Sequence, residues 1–348
     1  MYCCKECFWD SDLRDVIQRN FIDEGNCDFC GELAPRISPA SLSEKFEFLK
    51  DEMFEKSEVG NSLASCFQKE FKVFNDLKVR NIDRLLEHIL VDDADASTSN
   101  FKPISDNGKF SEEWNELRSE LIGKNRFFPN TQVFANLFRG VKSSELRVFE
   151  VILSQLSTTL PIDYPLYRAR IISKIEHFPS DLDKPPASVA CDGRANPVGI
   201  SYLYCSDDKA TAVTEVRPST GSIVHIAQLI TKRSIKLLDL TCPRKKFSAF
   251  QFSDTDSKLA LELIVLLERL SEELSIPIAE SRHLNYLPTQ FFSEFIKSQD
   301  VFEGLVFSSS FTNKKNLVFF SEESLDIVHF QRYEKVTVTR TQHEFENT

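Results

Sequence analysis

The chain has 348 residues, enough for two domains or for one core with appendages. Its composition, 41% hydrophobic and 27% charged, is ordinary for a globular protein, and a net charge of -11 disfavours a broad nucleic-acid surface, which needs clustered Lys and Arg. With 10 glycines and neither a Gly-x-Gly-x-x-Gly nor a Gly-x-x-x-x-Gly-Lys-Ser/Thr run, the usual dinucleotide and P-loop cradles are excluded.

No apolar run approaches the roughly 18 residues of a membrane span. The first residues carry cysteines in place of the basic and apolar regions of a secretion signal. The expectation is a cytoplasmic protein without a membrane partner, its nine cysteines reduced.

In chain order, the first feature is a pair of C-x-x-C knuckles, Cys4-Lys-Glu-Cys7 and Cys27-Asp-Phe-Cys30. Thiolates at that spacing on tight turns reach one Zn²⁺ at about 2.3 Å, and two knuckles complete a tetrahedron. Gly31 suits the turn after the second pair, and Cys3 reads as a bystander that could replace Cys4. Residues 1–36 are therefore expected to form a zinc ribbon with a closed, structural four-thiolate site.

Residues 37–158 read as a helical N-terminal domain. Phe46, Leu49, Met53 and Phe54 follow helical spacing, as do Ile82, Leu85, Leu86, Ile89 and Leu90. Ser111-Glu-Glu-Trp114 reads as a capped helix start, and the polar segment 92–108 as an exposed loop. After Pro161 the pattern turns to strands at 166–171, 201–205, 223–229, 235–238, 304–308, 316–320 and 327–339. Helices are expected at 258–274 and 288–298. The fold class is mixed α+β, with a third region at 159–348.

Within that region the segments Leu166-Tyr-Arg-Ala-Arg170, Gly193-Arg-Ala-Asn-Pro197, Ser201-Tyr-Leu-Tyr204, Ala212-Val-Thr-Glu215-Val and Gly304-Leu-Val-Phe-Ser-Ser309 follow one another in the order seen in the RES domain family, which they resemble. The resemblance implies an ADP-ribosyltransferase-like fold that binds and degrades NAD⁺, often as a toxin restrained by an antitoxin or other regulatory protein. The helical region is more loosely similar to the N-terminal part of longer RES proteins. Arg84 and His88 stand too close, and Arg80 and His88 too far apart, for the Arg-x4–6-His pattern of helical HEPN nucleases.

The residues support roles for that chemistry. Arg194 lies in a Gly/Asn/Pro turn, where a planar guanidinium can project into a cleft and grip phosphate. Arg168 is a candidate second pyrophosphate contact, with Arg170 competing for the role on the same strand face. Tyr204 can stack its ring on nicotinamide while its hydroxyl stays wet; core packing is the alternative. Glu215, on a helix capped by Ser206, can stabilise the oxocarbenium-like ribosyl cation; the competing reading is a salt bridge to Arg217. Ser309 fits the family's Gly-x-x-aromatic-x-Ser form and would bind substrate or orient Glu215, with Ser308 and Ser310 adjacent. Six scattered histidines form no metal pattern.

The leading expectation is an NAD⁺ glycohydrolase. ADP-ribosyl transfer to a macromolecule shares the same donor-side groups, and a non-catalytic zinc-ribbon protein that only binds a nucleotide is the reading from another class.

Overall fold

The computed structural model describes residues 1–104, 109–139, 143–171, 179–252, 254–276 and 284–341. Part of the polar segment (105–108), along with His177, His283 and His343, lies outside the described residues. The chain divides into two compact units. The first comprises Met1–Glu116, Asn130–Leu156 and Cys242–Arg269; the second comprises Leu117–Pro129, Ser157–Thr241 and Leu270–Thr348.

In the first unit, strands β1 (Cys3–Cys4), β2 (Asp23–Asn26) and β3 (Leu33–Ile37) make an antiparallel sheet in the order β1-β3-β2. Helix α1 (Ser11–Asn20) starts at Asp10, whose carboxylate accepts the Leu13 N–H at 3.0 Å. Helices α2 (Ser43–Met53), α3 (Leu63–Phe71) and α4 (Ile82–Ile89) follow. The abundance of phenylalanine explains the core: the Phe46 ring lies 5.1 Å from Phe67, 5.9 Å from Phe74 and 5.1 Å from Phe250. A buried Arg244 adds a polar tie within this unit, its Nε donating to both Glu268 oxygens at 2.9 Å and its Nη1 to the Glu70 carbonyl. Burying such a cation is tolerable only with its donors satisfied.

The helical reading of 37–158 needs correction. Phe54 follows the α2 spacing but ends that helix in extended conformation, opening strand β4 (Phe54–Ser62), which pairs antiparallel with β5 (Asn100–Pro103). The polar segment 92–108 is accordingly not wholly loop: it contains helix α5 (Ala94–Thr98) and β5, anchored by buried Phe101. Hydrophobic spacing over four residues cannot register a lone aromatic that anchors a strand. The helix read at Ser111 begins two residues earlier, as α6 (Lys109–Gly123), and α7 (Ser144–Gln155) closes the series.

The second unit is built on an eight-stranded sheet. Its strands are β6 (Ser157–Leu160), β7 (Pro165–Ile171), β8 (Leu203–Ser206), β9 (Ile223–Thr231), β10 (Ile235–Asp239), β11 (Gly304–Ser308), β12 (Lys315–Phe319) and β13 (Val328–Thr337). The spatial order is β13-β9-β7-β8-β12-β11-β10-β6, and every pair is antiparallel except β10 with β11. Apolar side chains of Leu166, Leu203, Leu229, Leu237, Val306, Leu317 and Phe319 form one core cluster. Gly304 is obligatory, since a Cβ there would meet the Val318 carbonyl oxygen at 2.0 Å. Helix α8 (Lys209–Glu215) lays Ala212 against Ala169, Val224 and Ile226 of the neighbouring strands. All seven strands expected from sequence are present within a few residues; β6 is additional.

Candidate active site

A cavity of about 610 Å³ in the second unit is lined by β7, β8, α8, β12 and the turn after Asp192, a size suited to a small-molecule ligand. Among the described residues, Arg168, Arg170, Arg194 and Arg217 line it beside two acids, Asp192 and Glu215. In a chain with a net charge of -11, that local cationic excess favours an anionic ligand.

Glu215 ends α8 and lines the cavity. The helix is capped at its start by Asp208, not Ser206: Asp208 accepts the Thr211 N–H and hydroxyl, each at 2.8 Å, while the Ser206 hydroxyl goes to the Lys315 carbonyl. The backbone N–H of Thr211 holds the Asp208 carboxyl below its usual range. At the other end the helix dipole opposes a carboxylate, and donors offset it. Ser309 Oγ donates to Glu215 Oε1 at 2.7 Å and Asn316 Nδ2 to the same oxygen at 2.6 Å. Oε2 lies 3.7 Å from Arg194 Nη2. The ion-pair partner is thus Arg194. Arg217 instead places its guanidinium over the Phe311 ring at 5.6 Å, on a left-handed backbone (φ 46) just past the helix end.

The turn carrying Arg194 is stapled from several sides. Gly193 N–H donates to the Asn196 carbonyl, and Asn196 Nδ2 donates to the carbonyls of Cys191 and Ile200 at 3.0 and 2.8 Å. A side chain at 193 would displace this network, because a Cβ would stand 2.6 Å from Asn196 Oδ1 and 2.9 Å from Tyr204 Oη. Thr289 and Gln290, of helix Leu287–Ser298, donate to the carbonyls of Arg194 and Gly193. Arg194 Nη1 in turn donates to the Leu274 and Ser275 carbonyls at 2.9 and 2.8 Å, capping the carboxyl end of helix Asp254–Ser275.

Tyr204 departs from the wet-hydroxyl expectation. Its Oη accepts the Ala195 N–H at 3.0 Å and donates to Asn196 Oδ1 at 2.8 Å. Burial pushes this phenol above its ordinary range, so it stays protonated as a fastener for the Arg194 turn. Arg168 is buried, with Nη1 donating to the Tyr204 carbonyl at 2.7 Å and Nη2 to the Asp183 carbonyl at 3.3 Å; burial lowers its proton affinity. Arg170 donates to the Asp181 carbonyl at 2.6 Å. Tyr202 packs, ring against Phe320 at 5.0 Å and hydroxyl on Glu294. Of the neighbouring serines, Ser309 faces Glu215 and Ser308 donates to the Thr241 carbonyl.

Asn316 and Tyr286 are among the cavity residues that escaped the sequence reading. Asn316 left a signal: a polar residue opening an apolar strand, where an amide is costly unless bonded. Tyr286 left none, since a lone aromatic before a helix is unremarkable.

In the first unit, Cys4, Cys7, Cys27 and Cys30 bring their sulfurs within 4.8 Å of one another. The pairs Cys4–Cys30 and Cys7–Cys27 stand 3.5 and 3.3 Å apart, near the roughly 3.8 Å edge of a tetrahedron with 2.3 Å metal–sulfur bonds. Gly31 adopts φ +80 after the second knuckle, as its turn requires. The group can hold a metal ion. Cys3 is buried outside the group, its thiol pushed up by burial.

A family model described as the RES domain matches residues 165–340, half of the chain. Among solved structures, a chain of the M. tuberculosis MbcT–MbcA toxin–antitoxin complex aligns with a TM-score of 0.34 at 12% identity, covering 56% of this chain and 93% of that one. No curated protein matches. Among the described residues, no helix is long and apolar enough to cross a membrane.

Proposed function

The chain belongs to the RES domain family, and from that membership and the cavity chemistry we propose that its second unit hydrolyses NAD⁺ to nicotinamide and ADP-ribose. The observation that carries this reading is the Glu215 carboxylate, tethered through one oxygen by Ser309 and Asn316 while the other lies beside Arg194 in a cationic cavity. The C1′–N bond breaks with its electron pair leaving on nicotinamide, which departs neutral. A fixed carboxylate stabilises the ribosyl cation left behind. Water then adds at C1′ and releases a proton.

Arg194, Tyr204 and Glu215 are the proposed catalytic group. Arg194 offers charge to the pyrophosphate, Tyr204 holds the turn that aims it and presents its ring to the cavity, and Ser309 orients Glu215. Arg168, its terminal nitrogens on main-chain carbonyls, serves the substrate pocket by fixing its wall. Within this reading NAD⁺ is consumed, the four-cysteine site holds structural Zn²⁺, and the protein is a cytoplasmic toxin or defence effector restrained by an antitoxin or another regulatory protein.

The test is nicotinamide release from NAD⁺ by the purified protein. Glu215→Ala is expected to lower kcat by at least about 100-fold; a variant within threefold of wild type sinks the assignment. Free ADP-ribose equal to the nicotinamide released marks water as the acceptor, whereas label retained on macromolecules marks transfer. A wild type without turnover that still binds NAD⁺ is the nucleotide-binding module instead.

A further inference from the structure

We infer that Asn316 is a positioning residue for Glu215, a role that rests on the NAD⁺-splitting reading. Asn316 sits near the start of β12, opposite Ser206 on β8 and Phe307 on β11, and is 6% exposed. The strand beyond it, Leu317-Val-Phe319, is apolar and buried. An amide in that setting is costly unless bonded. Its Nδ2 is bonded to the Glu215 carboxylate at 2.6 Å.

The geometry is asymmetric. Ser309 and Asn316 both donate to Oε1, one from the connection after β11 and one from β12 itself. Two donors from different elements fix the plane of a carboxylate that one donor would leave free to swivel. Oε2 is then the oxygen that meets the sugar, beside Arg194. A serine hydroxyl can rotate to donate or accept, whereas the Asn316 nitrogen only donates. Asn316 is therefore the member of the pair that specifies which face of the carboxylate is held.

The experiment compares wild type, Asn316→Ala, Asn316→Asp, Glu215→Ala and the Glu215→Ala/Asn316→Ala double variant. Nicotinamide release is measured as separate kcat and KM, and NAD⁺ binding by calorimetry. Asn316→Ala is expected to lower kcat about 10- to 100-fold, as loss of a hydrogen bond to a charged group does, with NAD⁺ affinity within about threefold. Asn316→Asp, of the same size, is expected to lose more at neutral pH, because it sets like charges together. In the Glu215→Ala background, Asn316→Ala is expected to cost nothing further, since its effect passes through the missing carboxylate.

An active wild type with Asn316→Ala and Asn316→Asp both at full kcat overturns the inference alone. Equal losses in the Glu215 and Glu215→Ala backgrounds, or a loss confined to NAD⁺ affinity, also overturn it. A wild type that releases no nicotinamide removes the NAD⁺-splitting reading and this inference with it.

Discussion

Asp10 is only 2% exposed, and burial raises its carboxyl to about 7 despite the hydrogen bonds it accepts from the Leu13 N–H and the Ser248 hydroxyl. The sign of the consequence follows from linkage. Below about pH 4 the group is neutral in both folded and unfolded chains. Between that value and about 7 the unfolded chain ionises while the folded chain keeps its proton, so stability falls as pH rises; above the window the slope ends. Asn at this position keeps a capping oxygen and cannot titrate. Asp10→Asn is expected to flatten the decline in Tm between pH 4 and 7, and an unchanged decline would rule Asp10 out as its source. Single residues of the candidate site were legible to differing degrees. Arg194 and Glu215 could be marked through the RES resemblance, helped by a turn that lets a guanidinium project into a cleft and by a carboxylate among alanines and valines, costly unless paired or used. Asn316 acquires its partner only through sheet register, which links positions 101 residues apart.

Among the elements, the strands of the second unit were readable because buried strands announce themselves as short apolar runs between turn residues. The β4–β5 pair was not, since β4 is mostly exposed and polar, and its pairing depends on a partner nearly forty residues downstream. The turn at 193–197 was recognisable as a turn, but its dependence on Tyr204 was hidden in the fold. That dependence separates two roles for the tyrosine. Tyr204→Phe keeps the ring at the cavity and removes both bonds to the turn, to the Ala195 N–H and Asn196 Oδ1. The expected cost is about 1–3 kcal/mol of stability, read by denaturant unfolding, with a fall in nicotinamide release as Arg194 loses its aim. A phenylalanine variant with wild-type stability and turnover would return Tyr204 to stacking alone.

At the scale of the whole molecule, the mixed α+β class and the cysteine knuckles could be read from spacing, because four thiols in two matched pairs have few other uses. The inclusion of Cys242–Arg269 in the first unit could not, as it depends on distant partners such as Glu70 for Arg244. Metal analysis tests the knuckles directly: about one zinc per chain is expected in wild type and close to none after Cys27→Ser/Cys30→Ser, whereas equal content in both would refute the site. The order of strands in the large sheet bears on when the chain becomes competent. β12 is threaded between β8 and β11, and it is translated a hundred residues after the helix that ends in Glu215. A nascent chain that has not yet reached β12 has the acidic group but not the interior strand that holds it. On the proposed reading, NAD⁺ cleavage begins only once β12 has entered the sheet, however early the helix bearing the carboxylate has formed.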